Sequence, residues 1–240
     1  MKGEKEHVLD AVENVLGYTF NDRSLLLNGL SHTSYINEQG LPVFESYERL
    51  EFLGDSVIEL AVTHLLFEDF PEAPEGELTK FRSPLVKGEA LAEAAARLGL
   101  GDYIFLGKGE ESTGGRTKRS LLADTFEAVV GAVYLDAGFE VARGLVISLL
   151  EKNIHKLLKW GPGDFKSELQ ELAAKRKGAV PRYRMREEGP DHYTTFHAIV
   201  EVGDRKFGPV AGTSKKEAEQ GAARLAMKKL GWLGGAGARK

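Results

Sequence analysis

The chain has 240 residues, 42% of them apolar and 28% charged, which allows one large or two modest domains of an ordinary water-soluble kind. It has no cysteine, which excludes disulfides, thiolate metal sites and cysteine nucleophiles and suits a reducing, cytoplasmic compartment. The net charge of −4 is uneven: residues 1–163 carry 16 Lys+Arg against 26 Asp+Glu (−10), and residues 164–240 carry 16 against 10 (+6). A basic C-terminal part favours a polyanion partner, and an acidic N-terminal part favours cations or another protein.

The first residues have no apolar segment behind their charges, so no signal peptide is read, and no long uncharged apolar run predicts a membrane span. Val8, Ala11, Val12, Val15 and Leu16 predict a helix over 6–16 ended by Gly17. Asn21-Asp22 can cap a second, short helix through Leu30. A long helix is expected over 44–67, between Pro42 and Pro71. Helix resumes near Gly76, with Pro84 expected to interrupt it. Further helices are expected over 86–98, 116–137 and 140–160, with a glycine-rich loop over 99–114 and no convincing strand before 161. Gly161-Pro-Gly-Asp164 reads as a hinge between two domains. Beyond it come a helix over 165–177, strands over 181–188, 193–202 and 205–211, and a helix over 214–230. The tail, 233–240, is expected to be disordered.

The long helix holds Glu48-Arg-Leu-Glu-Phe-Leu-Gly-Asp-Ser-Val57. Glu48, Glu51 and Asp55 fall within about 60° on one face, yet the rest of the helix is apolar nearly all round, which predicts burial. The 116–137 helix repeats the conflict, with Asp124 and Glu127 among Leu121, Leu122, Phe126 and Val129. Two such stripes are expected to face each other across bound cations. An all-oxygen ligand set suits Mg²⁺ or Mn²⁺, a Lewis acid for in-line attack on phosphorus. The bland alternative is a pair of solvated acidic faces. Spacing alone cannot choose among the acids, since Glu59 also shares the face of Asp55.

The ten-residue block resembles the signature of the ribonuclease III family, and Leu121-Leu-Ala-Asp-Thr-Phe-Glu-Ala128, with Gly131 and Leu135-Asp136, is similar to its second motif. The resemblance implies an all-α endonuclease domain over 1–160 that homodimerises through the signature helix. It implies Glu51, Asp124 and Glu127 as Mg²⁺ ligands, with Mn²⁺ as a substitute, and Asp55 and Glu127 as catalytic residues. Glu48 would lie at the mouth of the site, Glu75 would match an acid given by the partner subunit, and Glu110 an outer-shell position. Glu59 is left out on the family pattern alone. Gly54 reads as a small residue at the dimer axis, or as core packing. His32 is expected to be a hydrogen-bonded structural residue rather than a general base. The loop over 107–115, with Arg116, Lys118 and Arg119, is either a phosphate cradle or a plain connection.

The α-β-β-β-α order over 165–232 resembles a double-stranded RNA-binding domain of α+β class. Its clearest motif is Gly212-Thr-Ser-Lys-Lys-Glu-Ala-Glu-Gln220. Ser214 would cap a helix whose N-terminus faces phosphates, with Lys215 and Lys216 beside it; taken alone, that lysine pair is a solubilising turn. The resemblance assigns Ser167, Gln170 and Glu171 to one minor groove and His192 to the next. Ala174 departs from relatives with a polar contact there. Together these features imply a Mg²⁺-dependent, cytoplasmic endoribonuclease acting on double-stranded RNA. It would leave 5′-phosphate and 3′-hydroxyl ends, with roles in rRNA processing and in structured-RNA or mRNA processing or decay. It would have no membrane and no small-molecule cofactor. A non-catalytic RNA binder and a small-substrate phosphohydrolase are the rival readings.

Overall fold

The computed structural model describes residues 2–160, 165–189 and 194–232. The expected hinge at 161–164, the loop carrying His192 and the tail at 233–240 lie outside the described residues. The chain divides into two compact units, Met1–Lys156 and Leu157–Lys240.

The first unit is helical: α1 Lys2–Leu16, α2 Arg23–Gly29, α3 Thr33–Gln39, α4 Glu48–Asp69, α5 Glu75–Val86, α6 Gly88–Arg97, α7 Lys108–Ser112, α8 Arg119–Ala137 and α9 Phe139–Trp160, the last running past the division. Asp22 caps α2 by accepting the Ser24 N–H. On α1 Val12 and Leu16 of the expected stripe are buried together with Leu9, while Val15 is exposed. Glu13 turns inward with them, because its carboxylate takes the Phe20 N–H at 2.9 Å and an ion pair from Arg23.

Three expectations are corrected. Pro84 lies inside α5 and does not interrupt it; near a helix end the missing N–H removes only one of the last hydrogen bonds. The glycine-rich stretch is built of short turns, the 3₁₀ segments Leu100–Tyr103 and Gly115–Thr117 flanking α7, rather than open loop. The long acidic helix starts at Glu48, after a separate 3₁₀ turn at Val43–Glu45. An isolated parallel bridge joins Ser31 and Phe105, with Phe105 N–H donating to Leu30 O at 2.8 Å.

The core of this unit is α8, whose Leu121, Leu122, Ala123, Phe126, Ala128, Val129, Val130 and Val133 are all buried. It packs along α4, with α2 and α6 on its flanks. The second unit has α10 Phe165–Lys177, then β1 Arg182–Glu188, β2 Thr195–Val202 and β3 Arg205–Gly212 as an antiparallel sheet in the order β1-β2-β3, and α11 Lys215–Leu230. Alternate residues of β2 (Ala198, Val200, Val202) meet Phe165 and Leu169 of α10 and the alanine face of α11 (Ala218, Ala222, Ala226) in one core. Period-2 burial against period-3.6 burial is the expected signature of helices lying on one face of a sheet. Among the described residues, no helix is long and apolar enough to cross a membrane.

Candidate functional site

The site begins with two glycines. A Cβ on Gly54 would lie 1.8 Å from the Glu127 carbonyl oxygen, and one on Gly131 would lie 2.3 Å from the Leu50 carbonyl oxygen. Only glycine at both positions lets α4 and α8 approach this closely. The close approach of Gly54 is therefore made within the chain, against α8, as the core-packing reading expects.

That crossing brings the two acidic stripes together. Carboxylate oxygens of Glu51, Asp124 and Glu127 all lie within 4.8 Å of one another, and all three side chains are half-buried. Burial first, then the charges of Asp124, Glu48 and Asp55, raises the Glu51 carboxyl to about 7. Burial, then Asp55, Glu51 and Asp124, raises Glu127 to about 8. Asp124 is raised as well, mainly by burial, against the Tyr47 hydrogen bond. Half-buried acids that repel one another, with no Lys or Arg paired to them among the described residues and His32 acting on Asp124, form a donor set suited to a hard divalent ion, with all ligands oxygen.

The other expected acids stand around this group. Asp55 and Glu48 are exposed, so the stripe is not uniformly buried; Asp55 acts electrostatically on both Glu51 and Glu127. Glu48 accepts from Ser46 Oγ at 3.4 Å. Glu110 is ion-paired to Lys118 at 2.5 Å. Glu75 is not among the three clustered acids; it begins α5 and accepts from Thr79 Oγ1 at 2.9 Å. Glu59 is exposed.

His32 caps α3, its Nδ1 accepting the Ser34 N–H at 3.0 Å, and burial lowers its pKa. Arg116 holds the carbonyls of Gly101, Asp102 and Ile104 at 3.0–3.1 Å and pairs with Glu111. Arg116 is thus engaged inside the fold, whereas Lys118, though paired with Glu110, and Arg119 are exposed. Tyr47 escaped the sequence reading. It is buried, with its hydroxyl 3.5 Å from Asp124 Oδ2, and an aromatic residue at a helix start carries no local sign of such a partner.

On the second unit, Ser167, Gln170 and Glu171 share one exposed face of α10. Ser214 caps α11 by accepting the Glu217 N–H at 3.2 Å, while Glu217 takes the Thr213 N–H at 2.6 Å. Glu217 so anchors Thr213, the residue before the cap, while Ser214 caps the helix. Lys216 is exposed. Lys215 is exposed too but pairs with Glu187 at 2.7 Å, so part of its charge is already met. His192 is outside the described residues.

A family model described as Ribonuclease-III-like matches residues 22–154, and one described as Double-stranded RNA binding motif matches residues 165–230. Ribonuclease 3 of Natranaerobius thermophilus is 47% identical over 210 residues, covering 87% of this chain and 91% of that protein. Ribonuclease 3 of Streptomyces coelicolor is 49% identical over 221 residues, covering 91% and 79%. A solved nuclease domain of ribonuclease III from Campylobacter jejuni, described as flexible in a region involved in dimer formation, is 41% identical with a TM-score of 0.57, covering 61% of this chain and 99% of that one. The chain belongs to the ribonuclease III family of double-stranded-RNA-specific endoribonucleases.

Proposed function

We propose that the chain is a Mg²⁺-dependent endoribonuclease whose metal centre is Glu51, Asp124 and Glu127. One observation carries this: three half-buried carboxylates from two helices converge within 4.8 Å, with no Lys or Arg paired to them among the described residues. A divalent ion held there supplies a Lewis acid for the phosphate and a lowered pKa for water. The residues themselves do the holding. Glu51 comes from α4 and Asp124 and Glu127 from α8, so the Gly54–Gly131 crossing sets their separation. Asp55 acts with Glu127 as the catalytic pair, from the exposed side of the cluster. Glu48 and Glu110 flank the opening, and Mn²⁺ substitutes for Mg²⁺.

The active form is a homodimer joined through α4. Phe52, Leu60 and Phe67 are 80%, 55% and 70% exposed and lie within about 80° of one helix face. Exposed apolar side chains grouped in this way mark an interaction surface, and a flexible dimer-forming region is described for the Campylobacter jejuni domain. Glu75 is assigned to the partner's site. The nuclease domain is 1–160, the linker 161–164, the RNA-binding domain 165–232 and the tail 233–240. Ser167, Gln170, Glu171, His192, Ser214, Lys215 and Lys216 contact the duplex by shape, 2′-hydroxyls and phosphates. Products carry 5′-phosphate and 3′-hydroxyl ends, and the cytoplasmic tasks are rRNA processing and structured-RNA or mRNA processing or decay.

The test is cleavage of a long RNA duplex with Mg²⁺, with Glu127→Gln beside it. The variant is expected to bind duplex normally and cut none of it. Normal cutting by Glu127→Gln sinks the site assignment; binding without cutting by the wild type favours a non-catalytic RNA binder.

A further inference from the structure

Tyr47 joins the two acid-bearing helices at their ligand ends. Its N–H donates to Ser31 O at 2.9 Å, and its carbonyl accepts the Leu50 and Glu51 N–H groups, each at 2.9 Å, which starts α4. Its side chain is 4% exposed, and its ring meets the His32 ring edge-on at 5.4 Å. His32 is itself fixed, since Ser34 Oγ lies 2.7 Å from its Nδ1 and accepts the Gly107 N–H at 2.9 Å. The phenol therefore sits in a rigid wall, and its hydroxyl enters the field of Asp124, Glu51 and Glu48. As a phenol, Tyr47 is a neutral donor at about pH 7. Among the described residues, it is the one side chain seen donating to any of the three clustered acids, to Asp124 Oδ2 at 3.5 Å. A lysine in this place would neutralise Asp124 and compete with a bound cation. A phenol limits the carboxylate's rotation and leaves its charge in place.

We propose that Tyr47 is a positioning residue of the metal centre, its hydroxyl holding the Asp124 carboxylate in the orientation that shares a cation with Glu51 and Glu127. The inference rests on the metal-centre reading above.

The test uses the full chain and Tyr47→Phe, which keeps the ring and its contact with His32. Mn²⁺ is titrated calorimetrically without RNA, and duplex cleavage is followed against Mg²⁺ concentration. The Mn²⁺ Kd and the half-activating Mg²⁺ concentration are expected to rise together by about fivefold, as suits a long hydrogen bond to a charged acceptor. The rate at saturating Mg²⁺ should stay within about twofold of wild type, and the metal-free melt within about 2 °C. In an Asp124→Asn background the second substitution should cost nothing more, because the hydroxyl acts through that carboxylate. If the wild type takes up no Mn²⁺, the metal-centre reading and this inference both fall. If it does and Tyr47→Phe matches it, the metal centre stands and the positioning role is refuted. A lowered melt or a lowered saturating rate with unchanged metal constants refutes it equally, by assigning Tyr47 to packing or to another step.

Discussion

Gly54→Ala tests whether the helix crossing builds the site. The new Cβ would stand 1.8 Å from the Glu127 carbonyl oxygen and 2.9 Å from the Gly131 nitrogen, both backbone atoms that no rotamer change can move. Ordinary contact begins at 3.4 Å, so relief needs about 1.6 Å of separation between α4 and α8. Overpacking of this kind costs about 3 kcal/mol, which for a unit of this size lowers the melting temperature by roughly 6–12 °C. The same shift acts on the ligands. Oxygens now within 4.8 Å of one another would open toward about 6.4 Å, whereas oxygens across one Mg²⁺ stand at most about 4.2 Å apart. Thermal melting by circular dichroism and Mg²⁺-dependent duplex cleavage measure the two effects. Gly144→Ala is the control: it lies in α9 with nothing within 4 Å of the added Cβ, and should stabilise by about 0.5–1 kcal/mol through helix propensity. A Gly54→Ala protein melting within about 1 °C of wild type, and cutting normally, would refute the reasoning.

Two further outcomes follow from the charges. Glu51 and Glu127 titrate near 7 and 8 in the fold, above their ordinary 4.5, so between those values the metal-free native state holds protons that the unfolded chain has released. Their stabilising contribution is complete below about pH 4.5 and is lost as pH rises through 7 to 8. A cation reverses that loss, so the melting gain from Mg²⁺ should be larger at pH 8 than at pH 6, with proton release on binding at pH 7; equal gains at both pH values would contradict the assignment. In duplex binding followed by fluorescence anisotropy, Lys216→Ala should weaken affinity for all sequences alike and reduce the slope of log K against log salt by about 1. An unchanged slope would remove Lys216 from the phosphate contacts.

The acids were legible because they break a local rule. Carboxylates on helices as apolar as α4 and α8 call for a compensating ion, and periodicity alone placed Glu51 with Asp55 and Asp124 with Glu127 on single faces. What periodicity could not supply was the far side of each contact. It read α4 as buried all round, whereas Phe52, Leu60 and Phe67 face outward, since an apolar stripe looks the same whether a neighbouring helix or a separate chain covers it. Gly54 announced a close approach without naming its partner, Gly131, which lies in another helix. Arg116 looked like a phosphate ligand because a guanidinium in a glycine-rich stretch suits one; the carbonyls it holds instead are created by the folding of that stretch. Tyr47 carried no signal, because a buried aromatic at a helix start is ordinary and its acceptor lies 77 residues away. These cases have one physical cause. Local pattern reports what a residue avoids, water or a like charge, and the fold determines what it meets. The acidic cluster was the exception because avoidance there is extreme: acids raised to about 7 and 8 when alone must keep a proton or share a cation.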